Sequence, residues 1–278
     1  MTTCELTRLL GTALGWSEPA IEMRPLPGGT SGRTRLLTYC GESYVLRVGV
    51  VDADDIRPRM SCEPKVLQHA ARADLGPELV HADTDAGLLV TRYVDGRAWT
   101  SADLQSRAAV ESLAELLWAV HQLPRTGETL DIAGYAEAYR ERLGGVSEYV
   151  ETADRCMAVI ASGSTVAEQL ACCHNDVVAA NVIEGRGLRL IDWEYAGDND
   201  PFFDLASVIG YHDLPQAAAE VLLQAYTGRS DSSDCERLRE QVRRFEAVQW
   251  LWLAARQARA PEQTQAKRLS VLAARLSI

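Results

Sequence analysis

Residues 172–205 read CCHNDVVAANVIEGRGLRLIDWEYAGDNDPFFDL, and the rest of the chain is organised around them. His174-Asn175-Asp176 is followed after a short gap by Asn181, then by the apolar Leu190-Ile191 ending in Asp192. Asp176 and Asn181 are five residues apart, a spacing that suits a loop folding both side chains inward rather than an extended strand. Gly185 and Gly187 with the alternating Leu188 and Leu190 predict a turn and a short strand delivering Asp192. Val177, Val178, Val182, Ile183, Leu190 and Ile191 frame the polar residues. Burying such groups is costly unless they are liganded or hydrogen-bonded. Oxygen donors of this kind suit Mg2+ rather than Zn2+, with one carboxylate left over as a base. That is the arrangement phosphoryl transfer from a nucleotide requires.

Upstream, the chain supplies what such a site lacks. Ile21–Leu26, Arg33–Tyr39 and Ser43–Val48 read as strands, with Gly28-Gly29-Thr30-Ser31-Gly32 between the first two. Glycine lets backbone N–H groups approach phosphate closely, although no Gly-Lys-Ser/Thr follows to make a P-loop. Arg47 is a single cation in the apolar strand Tyr44–Val48, and Glu63 lies near the start of a helix reaching about Ala73. The two can pair so that the carboxylate orients the cation. Leu79-Val80 and Leu88–Thr91 are two further strands. The β-rich part ends at Thr91-Arg92-Tyr93-Val94, which divides the chain into residues 1–93 and 94–278. Beyond it helical spacing dominates: 101–122 (capped by Thr100 or Ser101), 135–143, 146–161, 203–212, 214–226, 234–258 and 262–277. Thr2-x-x-Glu5 predicts a capping box on an opening helix to about Leu14. The fold class is α+β.

The 278 residues are enough for two lobes, and the 47% hydrophobic content is enough for a large core. Lys+Arg 28 against Asp+Glu 39 leaves a net charge of −11, which argues against nucleic acid as the main partner. The seven cysteines are scattered and form no C-x-x-C pair, so the expectation is a reduced, cytoplasmic protein. No stretch reaches the ~20 apolar residues of a membrane span, and the first residues lack the order of a signal peptide.

The His-x-Asp-x4-Asn motif followed by Ile191-Asp192-Trp193-Glu194-Tyr195 resembles the aminoglycoside phosphotransferase and choline kinase superfamily. The resemblance implies a two-lobed, protein-kinase-like fold with a β-rich N-lobe, a helical C-lobe and ATP in the cleft between them. It makes Asp176 the catalytic aspartate and Asn181 and Asp192 the Mg2+ ligands. Arg47 becomes the phosphate-holding cation and Glu63 its helix partner. The backbone of Arg92 and Val94 becomes the adenine hinge, and Gly29 and Thr30 belong to the phosphate-covering loop. His174 becomes a scaffold residue, and Asp204 an anchor of the catalytic loop.

The acceptor is less determined. Asn175 in the middle of the first motif and the IDWEY run are similar to choline and ethanolamine kinases, and Leu188–Gly197 is equally similar to bacterial thiamine kinases. A small cationic alcohol, choline or ethanolamine first, suits an aromatic wall. Tyr195, Trp250 and Trp252 are the candidates for that wall, with Glu194, Asp198 and Asp200 adding negative potential. Trp250 and Trp252 lie about 200° apart around a helix, so one of them belongs to the core. Thiamine and aminoglycosides stay open as acceptors. A catalytically inactive nucleotide-binding module is the non-enzymatic alternative.

Overall fold

The computed structural model describes residues 2–26, 34–49, 62–162, 170–229 and 231–277. The glycine-rich loop, with Gly29 and Thr30, lies outside them. The first helix, α1 (Thr3–Leu14), is closed by the expected reciprocal cap: the Glu5 N–H donates to Thr2 Oγ1 and the Thr2 N–H to the Glu5 carboxylate. Leu6 and Leu10, one turn apart, then pack on a five-stranded antiparallel sheet. Its strands are β1 (Glu22–Pro25), β2 (Thr34–Tyr39), β3 (Glu42–Val48), β4 (Leu79–Asp83) and β5 (Leu88–Arg92), in the order β1-β2-β3-β5-β4. Leu37, Leu46 and Val90 point from its central strands into that small core.

Helix α2 (Glu63–Arg72) stands between β3 and β4 in sequence but buries its face elsewhere. Val66, Leu67 and Ala70 join Leu113, Leu117, Val182, Leu190 and Trp193 in the core of the helical part. A backbone bond from the Leu190 N–H to the Leu75 carbonyl (2.8 Å) fastens the end of this region to the same body.

Short strands carry the central motif: β6 (Arg97–Ala98), β7 (Ala171–Cys173), β8 (Val182–Glu184), β9 (Leu188–Leu190) and β10 (Gly197–Asn199). β6, β8 and β9 form one sheet, and β7 pairs with β10 in another. Gly96, on the way into β6, has φ 153°, and a Cβ there would lie 2.5 Å from the Glu184 carbonyl, so the crossing from the first sheet needs glycine.

The helical part consists of α3 (Arg107–His121), α4 (Ile132–Arg142), α5 (Ser147–Ser162), α6 (Phe202–His212), α7 (Gln216–Thr227), α8 (Ser232–Arg259) and α9 (Gln263–Arg275). The expected start of the long third helix at 101 is corrected to Arg107, behind Ser106. Asp103 takes the Thr100 N–H and hydroxyl and both terminal nitrogens of Arg97, which holds 100–105 in turns. Tyr139, Cys156, Phe203, Phe245, Trp250 and Leu272 form a second helical core. No helix of the described residues is long and apolar enough to cross a membrane. All seven cysteines are free.

Candidate active site

Strand β7 ends at Cys173 and hands the chain to His174, where a loop begins that helix α6 holds in place. Asp204, fully buried, accepts the His174 N–H at 2.9 Å and the Asn175 N–H at 2.6 Å. Ser207 Oγ accepts the Val177 N–H at 3.2 Å, and His212 Nε2 accepts the Ala179 N–H at 2.9 Å. The Tyr211 hydroxyl donates to Asp176 Oδ1 at 2.7 Å. Residues 204, 207 and 211 fall on one side of a helix. A polar stripe on an otherwise apolar helix therefore reads the loop nearly residue by residue. Asp204 is the expected anchor, and His121, a residue of α3, braces it from behind with Nε2 at 3.0 Å while its Nδ1 meets the Tyr226 hydroxyl at 2.8 Å.

His174 is scaffold, as expected: it is fully buried, its Nε2 lies 3.0 Å from the Ile191 carbonyl, and its ring meets Trp193 edge-on. Asn175 sits at φ 65° and Asp192 at φ 64°, left-handed conformations that Asn and Asp tolerate best after glycine. The Asn175 amide donates to the carbonyls of Tyr195 and Gly197, so one side chain ties the two motifs together.

Asp176 is partly buried. Burial holds its pKa above the usual carboxylate range, and the Tyr211 hydrogen bond pulls the other way. Asn181 and Asp192 are brought together by β8 and β9. Val182 pairs with Leu190, and the Ile191 N–H bonds the Asn181 carbonyl at 2.9 Å. The Asn181 amide nitrogen donates to the Asp176 carbonyl at 3.0 Å, which leaves its Oδ1 as the atom that could meet a cation. The Asp192 carboxylate is 45% exposed and uses Oδ1 on Arg47 at 3.1 Å. An amide oxygen and a half-exposed carboxylate are hard donors of the kind Mg2+ takes, so the residues fit that ion.

Arg47 reaches this pair from β3. It is hydrogen-bonded to Glu63, bonded to Asp192, and 3.9 Å from Glu194 Oε2. Burial alone would lower its pKa, but Glu63 and the other carboxylates raise it, so the guanidinium stays charged. Burial raises the pKa of Glu63 against the pull of Arg47. Glu194 thus lies on the cation's side of the site. At the expected hinge, the Tyr93 N–H is bonded to the Ser43 carbonyl at 3.0 Å, fixing the strand exit between Arg92 and Val94. The Arg92 side chain turns away to Glu42 and Glu78.

The expected acceptor wall is redrawn. Trp250 is 2% exposed, set edge-on to Tyr149 in the second helical core, and is withdrawn as a pocket wall. Trp252 is partly buried, and its ring face already carries the Arg256 guanidinium at 4.7 Å. The acids expected to lend negative potential are committed elsewhere. Asp198 binds Arg125, Thr126 and the Gly127 N–H, and Asp200 binds Arg237 and Gln241. Asp213, further along, binds Arg268 and Arg275. Their sequence-distant partners neutralise them. Tyr195 lies close enough to Tyr211 to act on its ionisation.

The phosphotransferase enzyme family model matches residues 22–245, from β1 into α8. The chain belongs to that family. The match runs through every element that builds the site described above. Protein LicA of Haemophilus influenzae is 26% identical over 213 residues, 73% of this chain and 62% of that protein. Thiamine kinase of Escherichia coli O17:K52:H18 is 35% identical over 187 residues, 65% of this chain and 63% of that protein. The chain thus spans a little over three fifths of these relatives' length. The solved choline kinase LicA from Streptococcus pneumoniae superposes with a TM-score of 0.78 over 98% of both chains at 17% identity, which establishes the kinase-like fold.

Two functional features escaped the sequence reading: the Tyr211 contact with Asp176, and the loop-holding roles of Ser207 and His212. The polar positions 204, 207 and 211 in FFDLASVIGYH were a visible signal, since a helix this apolar has no solvent face for them.

Proposed function

We propose that this protein transfers the terminal phosphoryl group of ATP to the hydroxyl of a small cationic alcohol, choline or ethanolamine first. The observation that carries the reading is that Arg47 bonds Asp192 across 145 residues of chain, while Asn181, tied to the residue before Asp192 by the Ile191 N–H, holds the Asp176 carbonyl. Asp176 orients and accepts the proton of the acceptor hydroxyl. Asn181 and Asp192 are the residues that would hold Mg2+, which neutralises phosphate charge when bound. Arg47, kept charged and directed by Glu63, binds phosphate oxygens, and Glu194 takes its place on this side of the site. The hinge backbone at Arg92 and Val94 and the loop at Gly29 and Thr30 complete the nucleotide site in this reading. Tyr195 faces the acceptor.

Thiamine is the second reading, favoured by the 35% identity to a thiamine kinase. Polycationic aminoglycosides are disfavoured, because Asp198, Asp200 and Asp213 are already paired with arginines. The test is ATP turnover against choline, ethanolamine, thiamine and an aminoglycoside panel, repeated with Asp176→Ala and Asp192→Ala. Transfer is expected to one small cationic alcohol, and to vanish in both variants while each keeps its fold. Unchanged turnover in either variant sinks the mechanism. Nucleotide binding with no transfer to any alcohol would favour a non-catalytic module.

A further inference from the structure

The catalytic loop is held at four backbone N–H groups: 174 and 175 by Asp204, 177 by Ser207, and 179 by His212. These bonds place the Asp176 backbone but leave its carboxylate to turn about its own bond. An unrestrained carboxylate offers either oxygen to an incoming hydroxyl. Here one oxygen is taken. The Tyr211 hydroxyl lies 2.7 Å from Oδ1, and its ring is fixed edge-on against Phe245 with centroids 4.9 Å apart.

We propose that Tyr211 is a positioning residue for phosphoryl transfer: its hydroxyl clamps Oδ1 of Asp176, so that Oδ2 alone meets the acceptor hydroxyl. The inference rests on the phosphotransfer reading of the site. A phenol has one proton to give, and an ionised carboxylate only accepts, so the bond has a single direction. Burial pushes the Tyr211 hydroxyl well above its ordinary range, so it keeps its proton at neutral pH and remains a donor. The clamp is charge-assisted and short, the strong class of hydrogen bond. It also explains why a tyrosine stands in the row of α6 residues that hold the loop. Asp204, Ser207 and His212 address backbone, whereas Tyr211 addresses the reacting side chain.

Tyr211→Phe removes one oxygen and keeps the ring against Phe245. The expected result is a kcat lower by on the order of 10- to 100-fold, the scale of a misplaced catalytic group. The KM for ATP and the binding of Mg-ADP are expected to stay unchanged, because Arg47, Asn181 and Asp192 do not touch Tyr211. Ser207→Ala serves as the contrast. It loosens the loop backbone next to Asp176 and is expected to lower Tm and weaken Mg-ADP binding along with kcat. A Tyr211→Phe enzyme with kcat within about twofold of the parent overturns the proposal. So does one that loses Mg-ADP binding in step with kcat, as the contrast variant does, since that marks a purely structural role. If the parent itself transfers phosphate to no alcohol while binding Mg-ADP, the phosphotransfer reading falls and takes this inference with it.

Discussion

Asp204→Asn tests how much of the site depends on one buried carboxylate. Asp204 is fully buried and accepts three bonds: the Asn175 N–H on Oδ1, and the His174 N–H and His121 Nε2 on Oδ2. The asparagine has the same shape but one acceptor fewer. Its least costly rotamer turns the amide nitrogen toward the Asn175 N–H, donor against donor, and strands that N–H out of reach of water. One orphaned buried donor costs about 1–3 kcal/mol, and loss of charge from the two surviving bonds adds roughly 1. The expected destabilisation is about 2–4 kcal/mol, or about 4–8 °C in Tm at roughly 2 °C per kcal/mol for a chain of this length. Urea and thermal unfolding measure it. Activity should fall as well as stability, because the two N–H groups freed or weakened immediately precede Asp176. Asp213→Asn is the control: this half-exposed acid between Arg268 and Arg275 should change stability by less than about 1 kcal/mol. An Asp204→Asn protein within about 0.5 kcal/mol of the parent and with full kcat would refute the reasoning.

Trp250→Ala should cost about 3–5 kcal/mol of stability, the usual penalty for a buried tryptophan, and Trp252→Ala distinctly less. Parent-like stability with a raised acceptor KM in Trp250→Ala would return that residue to the pocket. His212 supplies a pH dependence. Burial holds its pKa below the ordinary 6.5, so the folded protein keeps it neutral where the unfolded chain takes up a proton. Its contribution is complete above the unfolded value and is lost as pH falls through the lower folded value. The Tm of the parent should therefore drop more steeply than that of His212→Gln between about pH 7 and about pH 5. Parallel Tm curves would count against it.

The parts of the site legible in the sequence are those whose partners are neighbours along the chain. Asp176 and Asn181, and the β8–β9 delivery of Asp192, follow from spacings of a few residues. The Arg47–Glu63 pair was visible as a lone strand cation followed by a lone helix carboxylate. What was not legible depends on distant partners. Asp198 reads as a surface acid until Arg125 and residues 126–127 close on it, and Asp200 until Arg237 arrives from α8. Trp250 and Trp252 are indistinguishable by residue type, and only the packing of α4, α5 and α8 separates them. Strands β7 and β10 have three residues each and, unlike β9, lack a glycine turn and alternating leucines to mark them.

Helix α2 carries a consequence for control. Its apolar side is rooted among α3, β8 and β9, and the thiol just ahead of Glu63, on Cys62, is hydrogen-bonded to the Ala196 carbonyl at 3.3 Å. Swinging the helix outward would expose Val66 and Leu67, at about 1.5–3 kcal/mol each, before any other cost. Glu63 is therefore a fixed post, and any adjustment of its ion pair would fall to Arg47 on the sheet. An effector levering that helix would be working against the core itself, so the five-stranded sheet is the mechanically cheaper handle.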